Sequence, residues 1–320
     1  MNNSSRVICL GELLIDFYCT DRGVDLVEGF HFLKQAGGAP ANVAAAIAKL
    51  GGQAALAGKV GDDSFGHYLK RTLEEVKVDT SMLVMDPHSY TTLAFVSLQA
   101  DGERDFTFNR GADGLLALNE LDLPRIKRSK IIHFGSATAM LEGHSQDTYF
   151  QVMNLAKEYQ LFISFDPNYR GFLWKGNTEK FRELSIKALS LADLVKVSQE
   201  ELMLLTGTGN LEDGVKILHQ YGPKWINVTL GKDGTFLSSG DQAGMVSSIP
   251  VQSIDSTGAG DAFVGAILFQ LSQLEHPREE IRDFEKVKEM TFFANKVAAL
   301  VCTKMGAISS LPDYEQVVGH

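Results

Sequence analysis

Short apolar runs alternate with helical segments between residues 131 and 230, and this alternation constrains the fold more than any other feature. Four runs read as buried strands: Ile131 to Phe134, Leu161 to Phe165, Leu194 to Val197 and Trp225 to Leu230. The segments between them have helical patterns: Gln146–Tyr159, Thr178–Leu191 and Leu211–Tyr221. Strands that alternate with helices form a parallel sheet covered on both faces. The sequence therefore predicts a three-layer α/β/α domain with a mainly parallel central sheet.

Two early regions do not follow this alternation. The segments Leu13–Lys34 and Ser89–Arg110 contain strand-like runs without intervening helices, and in the second region a turn at 99–103 would join Thr91 to Leu98 with Arg104 to Phe108. Such pieces can pair into a small sheet beside the main domain, and a small sheet over an active site can act as a lid. We therefore expect one domain over 1–320, with a lid formed by about 12–36 and 88–111.

Composition and charge exclude several classes of function. The net charge of −10 argues against nucleic acid or an anionic membrane as a partner. The three cysteines show neither a disulfide framework nor zinc-ligand spacing, which predicts reduced thiols in the cytoplasm. No apolar stretch approaches the roughly 18 residues of a membrane helix. Glu12 and Asp16 interrupt the apolar run after Arg6, so we expect no signal peptide.

A turn of small residues leads directly into an apolar helix at Asp255-Ser256-Thr257-Gly258-Ala259-Gly260-Asp261. The start of a helix carries unpaired N–H groups and a partial positive charge. Gly258, Ala259 and Gly260 leave these groups bare, so a phosphate can approach the backbone. Asp261 places a carboxylate beside the same point, where it can act as a base. The stretch predicts a phosphoryl-transfer site rather than a turn with an ordinary helix cap.

An upstream stretch, Gly37-Gly38-Ala39-Pro40-Ala41-Asn42, has a related character. Its glycines allow a ligand close to the backbone, and Asn42 offers the donor and acceptor groups that suit sugar hydroxyls. Taken alone, the stretch is also typical of a glycine turn before a helix. A P-loop is absent, because Gln53 stands where its first glycine is needed and Val60 where Ser or Thr must follow Gly58-Lys59. A Rossmann fingerprint is absent, because Phe263 stands where its third glycine is needed.

Together the two stretches resemble the signatures of the ribokinase-like (PfkB) carbohydrate kinases, and the resemblance extends over essentially the whole chain. It implies a Rossmann-like α/β domain with a β-sheet lid, and ATP, Mg²⁺ and a sugar as ligands. It also implies that Asp261 is the catalytic base and that the N–H groups of Gly258, Ala259 and Gly260 form an anion hole. Exposed lid strands favour a homodimer joined through the lid.

The resemblance further implies which residues bind the sugar. Asp16 matches the family's ligand of the substrate hydroxyls, and the stretches Phe108–Asp113 and Phe165–Arg170 resemble the fructokinase branch. The expected sugar ligands are Asp16, Gly37, Gly38, Asn42, Arg110, Asn168, Arg170 and Asp261.

The identity of the sugar leaves alternatives open. Arg110 and Arg170 are also expected in the 2-keto-3-deoxygluconate kinases of the family, where an arginine pairs with the sugar-acid carboxylate. Tyrosines usually accompany that arginine, whereas Phe106, Phe108 and Asn109 surround Arg110 here, which favours a neutral sugar. The leading hypothesis is phosphorylation of D-fructose to fructose 6-phosphate. A 2-keto-3-deoxygluconate kinase, a nucleoside kinase and a non-catalytic sugar-binding regulator are the alternatives.

The resemblance also assigns nucleotide and cation ligands. Ser198-Gln199-Glu200-Glu201 stands where many members carry Asn-x-x-Glu, so Ser198 replaces the asparagine while Glu201 is retained for an indirect role with Mg²⁺. The expected nucleotide ligands are Lys196, Ser198, Thr229, Gly231, Gly234, Gly258, Gly260 and Asn295. A monovalent cation such as K⁺ would lie among Asp255, Thr257, Val301, Gly306 and Ser310.

Overall fold

A large nine-stranded sheet and a small four-stranded sheet organise the computed structural model, which describes residues 6–98 and 104–319. The expected turn at 99–103 lies outside these residues. In chain order, the strands are β1 (Val7–Leu10), β2 (Leu14–Cys19), β3 (Phe32–Gly37), β4 (Ala54–Gly61), β5 (Asp79–Asp86), β6 (Leu93–Leu98), β7 (Arg104–Asn109), β8 (Ile131–Phe134), β9 (Phe162–Phe165), β10 (Leu194–Ser198), β11 (Trp225–Thr229), β12 (Thr235–Ser239) and β13 (Gln242–Val246).

The large sheet has the order β13-β12-β11-β10-β9-β8-β1-β4-β5. Neighbouring strands from β5 through β11 pair in parallel, while β12 and β13 are antiparallel. The predicted, mainly parallel sheet is therefore confirmed. Because parallel strands share one carboxyl edge, the loops after β1, β8, β9 and β10 meet on one side of the molecule.

Helices cover both faces of this sheet. They are α1 (Ala39–Lys49), α2 (Ser64–Glu75), α3 (Leu123–Arg128), α4 (His144–Glu158), α5 (Gly171–Trp174), α6 (Thr178–Leu189), α7 (Gln199–Thr206), α8 (Leu211–Tyr221), α9 (Ala259–Gln273), α10 (Pro277–Glu280), α11 (Phe284–Val301) and α12 (Tyr314–Val318). Among the described residues, none of these helices combines the length and apolar character needed to cross a membrane.

The core lies in two apolar layers separated by the sheet. Alternate residues of β1 point to opposite faces, so Val7 and Cys9 join the layer under α1, α9 and α11. Ile8 and Leu10 join the layer under α4, α6 and α8. The three-layer α/β/α architecture predicted from the alternation is confirmed.

The small sheet has the order β3-β2-β6-β7, with β2 and β6 parallel and the outer pairs antiparallel. The two irregular regions of the sequence do pair with each other, as expected. Strands β2, β6 and β7 lie within the ranges 12–36 and 88–111, whereas β3 extends one residue further, to Gly37.

Several local expectations were incomplete. Strand β5 was not predicted, because its polar residues Asp79 and Ser81 resemble a loop. Helix α7 was not predicted either, because Ser198 both ends β10 and caps α7, which leaves no turn between them. Strands β12 and β13 form a hairpin that ends at Val246.

Helices α1 and α9 cross at a point where only glycine fits. A Cβ atom built on Gly265 would lie 2.5 Å from the Ala46 Cβ and 3.0 Å from the Val43 carbonyl oxygen. The small residues of both helices thus bring their backbones close together.

We predict that Gly265→Ala lowers the free energy of unfolding by about 1–3 kcal/mol, because the added methyl group forces the two helices apart. Gly244→Ala is the matched control, since a Cβ there meets nothing within 4 Å. Urea denaturation of both variants checks this, and equal effects would contradict it.

Candidate active site

Two cavities open along the carboxyl edge of the large sheet. The first, of about 600 Å³, lies between the two sheets and is called here the intersheet cavity. The second, of about 640 Å³, lies beside the turn between β11 and β12 and is called the hairpin cavity. Ser256 and Gly260 line both of them. The start of α9 is therefore the point where the two cavities meet.

The turn before α9 presents two backbone N–H groups at this junction. Gly258 adopts a φ of 76°, and a Cβ there would lie 2.7 Å from the Ala307 Cβ, so glycine is required. Within the described ranges, the N–H groups of Gly258 and Gly260 have no acceptor. Ala259 differs from the expectation, because its N–H donates to the Ser256 carbonyl at 3.2 Å. Two of the three amides predicted to be bare are thus available to an anion.

Asp261 lies in the first turn of α9 and is buried. Its Oδ2 accepts a hydrogen bond of 2.8 Å from Asn42 Nδ2 on α1. Burial raises the pKa of Asp261 to about 6, against the opposing effect of the Asn42 bond. A carboxyl group with such a pKa is ionised near neutral pH and still basic enough to take a proton.

A lysine lies next to the same helix terminus. Lys196 Nζ is 3.0 Å from Asp166 Oδ2, and a Cβ built on Gly260 would lie 3.3 Å from that Nζ. Burial by itself lowers the pKa of Lys196, but the carboxylates of Asp166 and Glu201 more than reverse this and raise it. The lysine is therefore charged and adds to the positive potential of the helix start.

Asp16 of β2 faces the intersheet cavity with its carboxylate. Burial raises the pKa of Asp16 to about 7, while the charge of the exposed Arg170 opposes the rise and Glu12 adds to it. A Cβ on Gly37 would lie 2.0 Å from Asp16 Oδ2. Gly38, with a φ of 111°, is equally restricted, since a Cβ would lie 2.4 Å from the Glu12 carbonyl oxygen. Both glycines are needed to place the carboxylate and the start of α1.

Other predicted residues of the intersheet cavity are bound to the scaffold. Asn168 Nδ2 donates to the Gly135 carbonyl at 2.8 Å. The buried Glu201 carboxylate accepts the N–H groups of Ser198 and Tyr169, both at 2.7 Å, and the Ser198 hydroxyl accepts the Glu201 N–H. This reciprocal capping box fixes α7 against the loop that carries Asn168.

Arg110 is not among the residues that line the intersheet cavity. Its guanidinium donates to the carbonyl oxygens of Glu142 and Thr138 and to the Ser145 hydroxyl at 2.6–2.9 Å. Its Nε lies 3.6 Å from Asp113. The structure therefore separates Arg110 from Arg170, which does line the cavity.

The predicted nucleotide ligands divide between the cavities. Thr229, Gly231, Gly234 and Asn295 line the hairpin cavity, whereas Lys196, Ser198 and Gly258 line the intersheet cavity and Gly260 lines both. Asn295 also holds the hairpin together, since it accepts from the Thr235 hydroxyl at 2.7 Å and donates to the Val246 carbonyl at 2.9 Å.

Three of the expected cation ligands come together from two loops, one before α9 and one after α11. Asp255 accepts hydrogen bonds from the N–H and hydroxyl groups of Thr257 and, at 2.9 Å, from the Gly306 N–H. Val301 ends α11 nearby in the chain, and the buried Ser310 donates to the Ala307 carbonyl. Among the described residues, His, Cys, Asp and Glu form no group of three or more that could hold a metal ion by themselves.

Two acidic residues of the site were missed by the sequence reasoning. Glu12 lines the intersheet cavity and is 2% exposed, and Asp166 pairs with Lys196. Each follows a buried strand of the large sheet closely, Glu12 after β1 and Asp166 after β9. Polar residues that follow such strands mark the ligand-binding edge of an α/β sheet, and this signal was present in the sequence.

We predict that Asp261→Asn stabilises the protein at neutral pH. The unfolded carboxyl ionises near its model value of 3.8, whereas the folded one keeps its proton to about 6. Wild-type stability therefore falls as the pH rises from 4 to 6, by up to about 3 kcal/mol from this group, and then levels off. Asp261→Asn has no ionisable group at this position, so its stability should not show this fall between pH 4 and pH 6.

The measurement is urea denaturation of both proteins at pH 4 and pH 7. The stability difference between variant and wild type should grow with pH, whereas the exposed control Glu212→Gln should change stability by less than about 0.5 kcal/mol. If the stability difference between variant and wild type is the same at pH 4 and pH 7, burial does not raise the pKa of Asp261.

Comparison with known proteins agrees with this geometry. Residues 4–314 match the pfkB family of carbohydrate kinases. Fructokinase-1 of Oryza sativa subsp. japonica is 44% identical over 319 residues, covering 98% of this chain and 97% of the relative. The ATP-bound fructokinase of Xylella fastidiosa superposes with a TM-score of 0.88 at 33% identity, over 98% of this chain and 97% of that one. A double mutant of the Vibrio cholerae fructokinase, in a form with fructose, ADP and potassium ion, gives 0.87 at 33% identity over 99% and 98%.

Two cavities that meet at a bare helix start, with a basic carboxylate in its first turn, suit the transfer of a phosphoryl group between two ligands. Since the family match and the 44% identical relative both span nearly the whole chain, this protein belongs to the pfkB family of carbohydrate kinases.

Proposed function

We propose that the protein transfers the γ-phosphoryl group of ATP to the primary hydroxyl of D-fructose, which yields fructose 6-phosphate. The observation that carries this proposal is the position of Gly260 and Asp261 where the two cavities meet. The fructokinases of rice and Xylella fastidiosa, which resemble the chain over nearly its full length, support fructose as the sugar.

The sugar occupies the intersheet cavity. Asp16 and Asn42 offer hydroxyl-binding groups, Arg170 lies at the exposed side, and Gly38 lets the ligand approach the backbone. ATP lies in the hairpin cavity along Gly231 and Gly234, beside Asn295. Its terminal phosphate then reaches the start of α9, where the Gly258 and Gly260 N–H groups and Lys196 balance the charge that develops during transfer.

Asp261 acts as the base of the reaction. Asn42 occupies Oδ2, which leaves Oδ1 for the primary hydroxyl of the sugar. The carboxylate takes the hydroxyl proton as the oxygen bonds to the γ-phosphorus, and the bond from that phosphorus to the bridging oxygen breaks to release ADP. The small sheet acts as a lid that keeps water from the phosphoryl group.

Magnesium fits this site as a companion of the nucleotide, where it neutralises phosphate charge. Glu201 would reach it through water, because both oxygens of this carboxylate already accept backbone N–H groups. The place where Asp255 and Thr257 meet Gly306 is the proposed site for K⁺, which is supported by the potassium-bound form of the Vibrio cholerae relative.

The charges of the intersheet cavity favour a neutral sugar over a sugar acid. Asp16, Glu200 and Asp261 line the cavity and repel a carboxylate, whereas Lys196 is paired with Asp166 and Arg110 is held elsewhere by three acceptor groups. Arg170 would face such an acid without the help of the second predicted arginine.

We further propose that the protein works in the cytoplasm as a homodimer joined through the small sheet. Phe30, Leu33 and Leu98 are 84%, 46% and 56% exposed on and beside its strands, and a second copy would cover them. The mass of the full chain in sedimentation equilibrium tests whether the protein is a dimer.

Release of ADP over a panel of hexoses, 2-keto-3-deoxygluconate and adenosine tests the proposed function. We expect the highest kcat/KM for fructose, and a fall in kcat of about 10²–10⁴ in Asp261→Ala. Turnover of the sugar acid or the nucleoside in preference to fructose would support those alternatives, and no turnover of any compound would support a non-catalytic regulator.

We predict that Arg170→Ala raises the KM for fructose at least about tenfold, because a charged hydrogen-bond donor is lost from the cavity. The charge of Arg170 also lowers the pKa values of Asp16 and Asp261, against the larger effect of burial. Its removal should therefore move the acidic limb of the pH profile of kcat/KM to higher pH. Arg71→Ala, on the exposed face of α2, is the control. If the acidic limb of Arg170→Ala lies at the same pH as that of the wild type, Arg170 does not act on the carboxylates of the sugar cavity.

A further inference from the structure

The chain passes between the small sheet and the main domain at four places in the described ranges, and all four converge on two buried carboxylates. Glu12 itself forms the first crossing, from β1 to β2, and Gly38 forms the second, from β3 to α1. Thr92 leads into β6, and the segment 110–113 follows β7. The two carboxylates are those of Glu12 and Asp113, which are 2% and 6% exposed.

Glu12 binds the first two crossings to the main domain. Its Oε1 accepts the N–H groups of Ala39 and Ala137, each at 3.2 Å. Its Oε2 contacts the hydroxyl groups of Ser136 and Thr138. Ala39 begins α1, and Asn42, one turn later, holds Asp261. The Glu12 side chain therefore fixes the end of the helix that orients the base.

Asp113 binds the other two crossings. Its Oδ1 accepts from the Thr92 hydroxyl, whose oxygen accepts the Gly111 N–H at 2.7 Å. Its Oδ2 accepts from the Thr138 hydroxyl at 2.7 Å. Thr138 thus bridges the two carboxylates, because its Oγ1 also lies 3.4 Å from Glu12 Oε2.

The hydroxyl protons at this bridge have defined acceptors. The shorter contact of the Thr138 hydroxyl assigns its proton to Asp113. The Ser136 hydroxyl donates to Glu12 Oε2, because its own oxygen accepts the N–H groups of Thr138 and Ala139. Arg110 Nε lies 3.6 Å from Asp113.

The surroundings of Glu12 disfavour its ionised form. Burial raises the pKa of Glu12, and Asp113 adds to the rise against the Ser136 hydrogen bond. The ionisable groups that face it are Asp16 on β2, Asp113 and Arg110 after β7, and Tyr149 on α4. Only Arg110 among these is a cation, and it lies on the far side of Asp113.

We propose that Glu12 and Asp113 are positioning residues that act through Thr138 to hold the four crossings in one arrangement. In this arrangement Asn42 stays on Asp261 and the small sheet stays over the sugar. The proposal rests on the kinase function proposed above. Neither residue takes part in the transfer of the proton or the phosphoryl group.

The test compares Glu12→Ala, Glu12→Gln and the wild type with fructose and MgATP. Glu12→Ala should lower kcat and raise the KM for fructose by at least about tenfold each, as expected when reacting groups shift by a fraction of an ångström. The KM for ATP should change less than about twofold, because other elements build the hairpin cavity. Glu12→Gln keeps an acceptor for the two N–H groups but not for the Ser136 hydroxyl, so it should recover part of the loss.

Asp193→Asn is the matched control, since this carboxylate also accepts a backbone N–H, that of Ile163, but at the opposite edge of the sheet. It should leave both KM values unchanged. Thr138→Val is the second variant, in case Glu12→Ala does not fold, and it should give the same selective rise of the fructose KM. Equal changes of both KM values, no rescue by glutamine, or a Thr138→Val enzyme like the wild type would overturn the proposal.

Hydrogen exchange separates this proposal from the proposed function. The amides of Ala39 and Ala137 should exchange at least about tenfold faster in Glu12→Ala than in Glu12→Gln without any substrate. Unchanged exchange would defeat the positioning role even in an active kinase. A wild type that phosphorylates no sugar would defeat the kinase function and leave the exchange result standing.

Discussion

The hydrogen bond between Asn42 and Asp261 is the interaction on which the site depends, because it joins α1 to α9 across the point where the two cavities meet. A carboxylate taken out of water is costly unless it is bonded. Burial raises the pKa of Asp261, and the hydrogen bond from Asn42 limits the rise. The same burial that destabilises the folded chain gives the carboxylate the basicity that proton transfer requires. The close crossing of the two helices at Gly265 makes this contact possible.

The chain is acidic overall, yet the start of α9 presents hydrogen-bond donors and a lysine to the two cavities. The start of α9 offers two N–H groups, and Lys196 lies beside Gly260 with its charge maintained by Asp166 and Glu201. These fields act over a few ångströms inside a partly desolvated cavity, where the distant surface charges are screened. A net charge of −10 is therefore compatible with an anionic substrate.

Many polar residues at the site bind other parts of the protein rather than face the cavity freely. Glu201 holds two backbone N–H groups, Asn295 fastens the hairpin and Arg110 binds three acceptors away from the cavity. Positioning a ligand within tenths of an ångström needs loops that do not move, and loops at a sheet edge are fixed by just such buried polar bonds. A motif therefore contains residues that build the site as well as residues that touch its ligands.

The sequence alone determined the layered fold, the strands in the two irregular regions and the glycine turn before α9, because periodicity, strand length and glycine act over a few neighbouring residues. It also located Asp261 and Asn42. Only the tertiary structure decided that the Ala259 N–H donates to Ser256 and that Arg110 lies away from the cavity. It also decided that Glu12 and Asp113 bind the four crossings together. These outcomes depend on partners up to 126 residues apart, and no local pattern records which distant donor a buried carboxylate will meet.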